Sequence, residues 1–99
     1  MTPVIKTRFG IAEVVKKQYY DGNIAIQLID KEDGSPIATL TVNIPEHSSL
    51  LKEGEFFVKG WSENEMIIDE CRKSGYFIDT GKRVPTGFVT AEVWTCPHI

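Results

Sequence analysis

The chain has 99 residues, of which 41% are hydrophobic and 25% are charged, and its formal net charge at pH 7 is −3. This length and apolar content predict a single domain over residues 1–99 with its own hydrophobic core. Residues 30–70 carry ten acidic and three basic side chains, which argues against nucleic acid as a partner because binding depends on neutralising phosphates. No apolar run approaches the ~20 residues that span a bilayer, and the first residues do not resemble a signal peptide. We therefore expect a cytoplasmic protein without membrane contact.

The first third of the chain predicts β-strands joined by turns. Residues 4–9 form the first predicted strand. Residues 11–20 fit either a helix, by the spacing of their apolar side chains, or a strand, by their β-branched and aromatic content. The turn signal Asp21-Gly22-Asn23 follows, and residues 24–29 are a clear strand. Because a hairpin needs a strand on both sides of its turn, we interpret residues 11–20 as a strand.

The rest of the chain adds further strands and one main helix. Residues 37–44 alternate apolar and polar side chains, which is typical of a strand with one buried face. Shorter strands are predicted at residues 55–59, 76–78 and 88–94, and a helix at about residues 63–74. The predicted fold is α+β: an antiparallel sheet of about five or six strands with this helix packed on one face. Residues 1–3 and 95–99 are expected to be loose ends.

The helix prediction rests on signals at both of its ends. Ser62 is a suitable N-cap residue, and Glu65, three positions later, would complete a capping box. Trp61 and Met66 have the spacing of a hydrophobic staple across the same helix start. Gly75 suits the left-handed residue that follows a helix C-terminus. Ser62, Glu65 and Gly75 are therefore assigned structural roles as helix caps.

No pattern in the sequence indicates catalysis or metal binding. His47 lies in a predicted loop and His98 near the C-terminus, and neither has a neighbouring nucleophile and orienting group. Cys96 and His98 lack the third and fourth ligands of a structural zinc site. Cys71 lies far from a helix N-terminus, where its pKa would be lowered, and we expect it to face the sheet. We predict no enzymatic activity, no catalytic residue, no metal site and no cofactor.

The aromatic residues are the main candidates for a binding surface. Most of them should fill the core, but exposed Trp and Tyr side chains beside charged groups are typical of hot spots in protein interfaces. The predicted binding residues are Trp61, Glu63, Asn64, Glu65, Tyr76, Lys82, Arg83 and Trp94.

Residues 56–65, with the sequence Phe-Phe-Val-Lys-Gly-Trp-Ser-Glu-Asn-Glu, resemble a small bacterial family of unknown function that has a Trp-Ser-Glu-Asn motif. The strands at residues 25–28 and 38–43 and the segment at residues 80–89 are also similar to that family. The resemblance covers about residues 24–94. It implies an accessory protein of a mobile genetic element, such as a phage, a plasmid or a conjugative element. It implies no activity and no catalytic residue. The cap and the staple account for the other residues of the motif and leave Asn64 open, either as a residue that hydrogen-bonds to neighbouring groups of the chain or as a contact residue.

Three functions are compatible with these features. The first is a non-enzymatic protein, monomeric or homodimeric, that binds a host or element-encoded protein and modulates a host defence system. The second is nucleic-acid mimicry by the carboxylates of Asp30, Glu32, Asp33, Glu63, Glu65, Asp69 and Glu70. The third is a small-molecule pocket at the helix start, near Trp61, Asn64 and Thr86. Direct nucleic-acid binding ranks last, because it rests only on Lys16, Lys17, Lys82 and Arg83.

Overall fold

The structure is a computed structural model that describes residues 3–99. These residues form seven β-strands in two antiparallel sheets, one short α-helix and two 3₁₀-helices, which is an α+β arrangement. The strands are β1 (Val4–Thr7), β2 (Gly10–Gln18), β3 (Ile24–Asp30), β4 (Pro36–Thr39), β5 (Glu55–Val58), β6 (Ile78–Thr86) and β7 (Val89–Thr95). The helix α1 spans Ile68–Lys73, and the 3₁₀-helices span Pro45–Leu50 and Ser62–Met66.

The first sheet is an antiparallel meander in the order β1-β2-β3-β4. Its central pair confirms the interpretation of residues 11–20 as a strand, since β2 pairs along its length with β3 and Val14 lies opposite Leu28. The turn between these strands contains Gly22 at φ +89°, a conformation that glycine adopts without strain. The turn signal in the sequence therefore predicted this hairpin correctly.

The second sheet has the order β5-β7-β6, so the prediction of one sheet with five or six strands is wrong. The chain changes sheets at Leu40. Its backbone N–H donates to Ile26 of β3 (2.9 Å), while its carbonyl accepts from Lys59, directly after β5 (2.8 Å). The alternating segment at residues 37–44 therefore does not form one strand, because β4 ends at Thr39 and the following residues pair with β5.

The second sheet is buried on both faces. Phe56 and Trp94 face the main core, which they share with the inner face of the first sheet and with α1. Phe57 and Val93 face a second, smaller core on the opposite side of the sheet. Trp61 packs against this second core.

The predicted continuous helix over residues 63–74 is wrong. A 3₁₀-helix spans Ser62–Met66, the backbone breaks at Ile67 (φ −124°, ψ −9°), and α1 follows. The cause is tertiary, because the side chains of Asn64 and Ile67 are both drawn into the interior. The Asn64 side chain is held there by the backbone carbonyls of Thr39 and Lys59, both at 2.8 Å, which lie outside the predicted helix.

The predicted capping box and hydrophobic staple are also wrong. Ser62 lies at φ +56°, so Trp61 occupies the N-cap position, and within the described chain no side-chain bond caps this 3₁₀-helix. Met66 is exposed instead of packing on Trp61. Gly75, in contrast, has φ +85° directly after the end of α1, as predicted for a helix C-terminus.

The end of the chain, expected to be loose, is packed against the main core. Cys96 is buried there, Ile99 contacts the same cluster, and the Ile99 N–H donates to the carbonyl of Cys96 (3.2 Å). At the start of the chain, the Pro3 carbonyl accepts from Val14 (2.9 Å), and residues 1–2 of the predicted loose end lie outside the described residues. Residues 3–99 contain no helix that is long and apolar enough to cross a membrane.

Candidate functional site

A cleft of about 330 Å³ opens where the β1–β2 hairpin, the β3–β4 turn and the second 3₁₀-helix meet. We call it the hairpin cleft. The residues that line it are Phe9, Asp30, Ser35, Pro36, Ile37, Ala38, Glu63 and Ile67. Five of these eight residues are apolar, although polar atoms make up slightly more than half of the exposed surface of the cleft.

The mouth of the cleft is formed by Phe9, at the tip of the β1–β2 hairpin. The two turn residues are fixed by Thr7, whose hydroxyl donates to the carbonyl of Gly10 (2.8 Å) and accepts from the N–H of Phe9 (3.1 Å). Phe9 is nevertheless 52% exposed, so its ring is held in place but not covered. Ile67 also lines the cleft and is almost completely buried.

Two carboxylates face the cleft, and they differ in their partners. Glu63 accepts a hydrogen bond from Lys59 Nζ (2.7 Å), and this bond lowers the pKa of Glu63. Asp30 accepts through Oδ1 only the backbone N–H of Glu32 (2.8 Å). Within residues 3–99, no basic side chain pairs with Asp30 and its Oδ2 accepts no hydrogen bond. Asp30 therefore presents a free carboxylate oxygen.

Of the eight predicted binding residues, only Glu63 lines the hairpin cleft. Glu65 is exposed beside it, Tyr76 is half-buried against the main core, and Trp61 is half-buried against the second core. These side chains do not form one surface.

Asn64 has a structural role within the fold. Its side chain is completely buried, and Nδ2 donates to the carbonyls of Thr39 and Lys59, both at 2.8 Å. These carbonyls lie where β4 ends and where the chain leaves β5, so Asn64 joins the two sheets. Its Oδ1 is buried without a hydrogen-bond partner among the described residues.

Trp94 and Arg83 belong to a network of aromatic and charged groups between α1 and the second sheet. Trp94 is 1% exposed and donates through Nε1 to Glu92 (3.0 Å), while the guanidinium of Arg72 lies 5.3 Å from the centre of the Trp94 ring. Arg72 also pairs with Glu92 (2.5 Å). Arg83 donates to both carboxylate oxygens of Asp79 (2.8 and 2.9 Å), which lowers the pKa of Asp79. We call these five residues the Trp94 network.

Lys82 is likewise engaged within the chain. Its Nζ donates to the carbonyl of Leu50 (2.9 Å) and to the carboxylate of Glu55. The backbone N–H of Lys52 and the Lys82 ammonium together lower the pKa of Glu55. Lys82 therefore ties β6 to the segment before β5 and does not present a free charge for a partner.

The described residues offer no group for metal chemistry, since residues 3–99 contain no cluster of three or more His, Cys, Asp or Glu side chains placed to hold an ion. Cys71 is buried in the main core, and this burial raises its pKa to about 12. A thiol with a raised pKa is mostly protonated at neutral pH, and the thiolate is the nucleophilic form.

A larger groove of about 440 Å³ lies at the other end of β2. The polar and charged residues of its lining include Lys16, Gln18, Asn23, Lys52, Glu53 and Glu55. Glu55 is already engaged by Lys82, and Asn23 donates to Asn43 and Ser48. We therefore regard the smaller hairpin cleft as the candidate site, because its free groups include both an aromatic ring and a carboxylate.

The residues that form this site lie far apart in the sequence, and only one local signal could have indicated it. Phe9 is a large aromatic residue immediately before a glycine at a strand end, where a polar turn residue is usual. Comparison of the chain with protein-family models, curated proteins and solved structures found no match. The function is therefore inferred from the geometry and charges of the chain itself.

Proposed function

We propose that the chain is a non-enzymatic protein that acts by binding another protein, and that the hairpin cleft receives a side chain of this partner. The observation that carries the proposal is the half-exposed ring of Phe9 in a cleft that also contains the buried side chain of Ile67. Interface hot spots are centred on aromatic and apolar side chains that fill such pockets. A volume of about 330 Å³ lies at the lower end for small-molecule sites and suits one inserted side chain.

The charge around the cleft supports a protein partner over nucleic-acid mimicry. A mimic needs many free carboxylates that imitate phosphates, and such binding is strongly ionic. Several of the acidic side chains are instead paired within the chain: Glu63 with Lys59 (2.7 Å), Asp69 with Arg72 (3.8 Å) and Glu70 with Arg8 (3.9 Å). The remaining negative charge is modest and surrounds an apolar centre, which is the arrangement of a protein interface.

The wider role that we propose is that of an accessory protein of a mobile genetic element, which binds a host or element-encoded protein and modulates a host defence system. The resemblance of residues 24–94 to the family with the Trp-Ser-Glu-Asn motif is the support for this role. The motif itself has a structural explanation in Asn64, which joins the two sheets through Thr39 and Lys59. The motif therefore supports a shared fold, and the cleft beside it supports binding.

A small-molecule site is the second candidate function, because the cleft volume of about 330 Å³ still lies within the range of such sites. The cleft lies beside the start of the second 3₁₀-helix, as that hypothesis requires, although its lining contains Glu63 and not Trp61, Asn64 or Thr86. A ligand screen by thermal shift tests this candidate. Stabilisation by a small molecule that is lost in Phe9→Ser would favour it over a protein partner.

The proposed function is tested by affinity capture with matched variants. Phe9→Ser removes the ring at the cleft mouth, and Phe88→Ser removes an equally large and fully exposed ring from the β6–β7 hairpin tip. We expect wild type and Phe88→Ser to capture the same stoichiometric partner from a lysate of the native host, and Phe9→Ser to lose it. Capture that survives in Phe9→Ser, or that is lost in Phe88→Ser, contradicts a role for the cleft.

A further inference from the structure

We infer that the side chain received by the hairpin cleft is an arginine of the partner protein, bound by the free carboxylate oxygen of Asp30 and by the ring of Phe9. This inference rests on the proposed function and specifies the chemistry of the partner at the same site.

The first argument is the state of Asp30. Its side chain is half-buried at the end of β3, and Oδ2 has no partner among residues 3–99. A carboxylate that is partly removed from water gains most from a charged donor, since hydrogen bonds between ionised groups are about twice as strong as neutral ones. Lys59 does not supply this donor, because it pairs with Glu63, and Arg8 lies next to Glu70. This oxygen is therefore open to a donor from outside the chain.

The second argument is the position of Asp30 relative to the hairpin tip. A Cβ atom built on Gly10 would lie 3.6 Å from Asp30 Oδ2, so this oxygen lies against the backbone directly after Phe9. The carboxylate and the aromatic side chain also line the same cleft. A cation bound by Asp30 in this cleft can gain further attraction from the face of the Phe9 ring.

The apolar walls favour arginine over lysine. Ile37, Ala38 and Ile67 line the cleft and suit the methylene stem of a long basic side chain. The guanidinium is planar, weakly hydrated and able to stack on an aromatic ring, whereas an ammonium is compact and strongly hydrated. An ammonium would therefore lose more hydration on entering the same apolar cleft.

The negative charge near the cleft mouth is also suited to a basic partner. Glu32 and Asp33 follow Asp30 in the same turn, and both are exposed. Asp33 accepts the N–H and the hydroxyl of Ser35, which lowers its pKa and keeps it ionised. These carboxylates attract a basic segment over the distance at which charges act in salt solution, about 8 Å at physiological ionic strength.

The test is a titration of the full chain with Nα-acetyl-arginine methylamide, followed by ¹H–¹⁵N NMR. We expect saturable shifts at Phe9, Ile37 and Ala38, with binding in the millimolar range. The corresponding citrulline compound has nearly the same shape without the charge, and we expect it to bind about tenfold more weakly or worse. Equal binding of the two compounds, or no saturable shift at these residues, overturns the inference.

Two variants isolate the charge of Asp30. Asp30→Asn keeps an oxygen that can accept the N–H of Glu32, so it removes the charge with little change in the turn. Asp33→Asn is the matched control, because Asp33 lies in the same turn but does not line the cleft. We expect the arginine compound to bind about tenfold more weakly to Asp30→Asn and to lose much less affinity for Asp33→Asn, because the charge of Asp33 acts only from a distance. Unchanged binding in Asp30→Asn overturns the inference.

The same variants separate this inference from the proposed function. If affinity capture of the partner is lost in Phe9→Ser but unaffected in Asp30→Asn, the cleft binds a protein through apolar contact and the arginine assignment is wrong. If Nα-acetyl-arginine methylamide saturates the cleft while capture of the partner does not depend on Asp30 or Phe9, the cleft is a site for a small organic cation. That result overturns both the proposal that the cleft binds a protein and the assignment of an arginine to it.

Discussion

The Trp94 network and the hairpin cleft contain the same kinds of groups, an aromatic ring beside carboxylates and a basic side chain. In the Trp94 network each charged group has a partner within the chain: Arg72 binds Glu92, and Arg83 binds Asp79. In the hairpin cleft, Phe9 is half-exposed and Asp30 has no basic partner among the described residues. Composition alone does not separate a surface that holds the fold together from one that binds a partner. The groups left without a partner make this distinction.

The largest expected effect compares the two aromatic rings. Trp94→Ala should lower the free energy of unfolding by about 3–5 kcal/mol, because it empties a buried site and leaves Arg72 without its ring. Phe9→Ala should lower it by less than about 1 kcal/mol, since half of that ring is already in water. Urea unfolding of both variants measures the difference. Similar losses in the two variants would mean that Phe9 serves the core and not a partner.

Asn64 gives the next largest effect. Asn64→Ala leaves the carbonyls of Thr39 and Lys59 without their donor in a buried place, which should destabilise the fold by about 3 kcal/mol. Asn43→Ala is the control, because Asn43 bonds to Asp21 and Asn23 near the surface, where water replaces the lost partners. Its loss should stay below about 1 kcal/mol. Equal unfolding midpoints in urea for the two variants would show that Asn64 does not join the sheets.

Asn64 also shows which features of the fold can be predicted from sequence patterns. The β2–β3 hairpin and the glycine after α1 were predictable, because each depends on the conformational preferences of residues next to one another. The division of the predicted helix into a 3₁₀-helix and α1 was not predictable. It depends on the carbonyls of Thr39 and Lys59, which come together where the chain changes sheets at Leu40. These contacts between distant parts of the chain outweighed the local capping signals at Ser62.

The candidate site was unpredictable for a related reason. Phe9, Asp30 and Glu63 come from a hairpin tip, a strand end and a 3₁₀-helix, and only the topology of the first sheet brings them together. The predicted site failed in the opposite way. Trp94, Lys82 and Arg83 look like free binding groups in the sequence, but each has a partner within the chain. Lys82 binds Glu55, which is distant in the sequence, whereas Trp94 and Arg83 bind Glu92 and Asp79 of their own strands. Partner availability is a property of the fold and not of composition.

The smallest expected effect concerns the charges of the Trp94 network, and it depends on pH. The pKa of Asp79 is lowered mainly by its hydrogen bonds from Arg83. Because the folded-state pKa lies below the unfolded value of 3.8, this pair contributes stability above pH 3.8 that is lost as the pH falls through the folded-state pKa. Asp79 is about one-third exposed, so its contribution should be below about 1 kcal/mol at pH 7.

A double-mutant cycle isolates this contribution. Asp79→Asn, Arg83→Gln and the double variant should show a coupling free energy below about 1 kcal/mol at pH 7, by urea unfolding. The coupling should disappear at a pH below the folded-state pKa of Asp79, where the carboxylate is protonated and the charge is gone. A coupling that persists there would mean that the two side chains interact by packing and not by charge. The Trp94 network and the hairpin cleft would then be more alike. In both regions the aromatic rings and apolar contacts, and not the ion pairs, would determine the role of the surface.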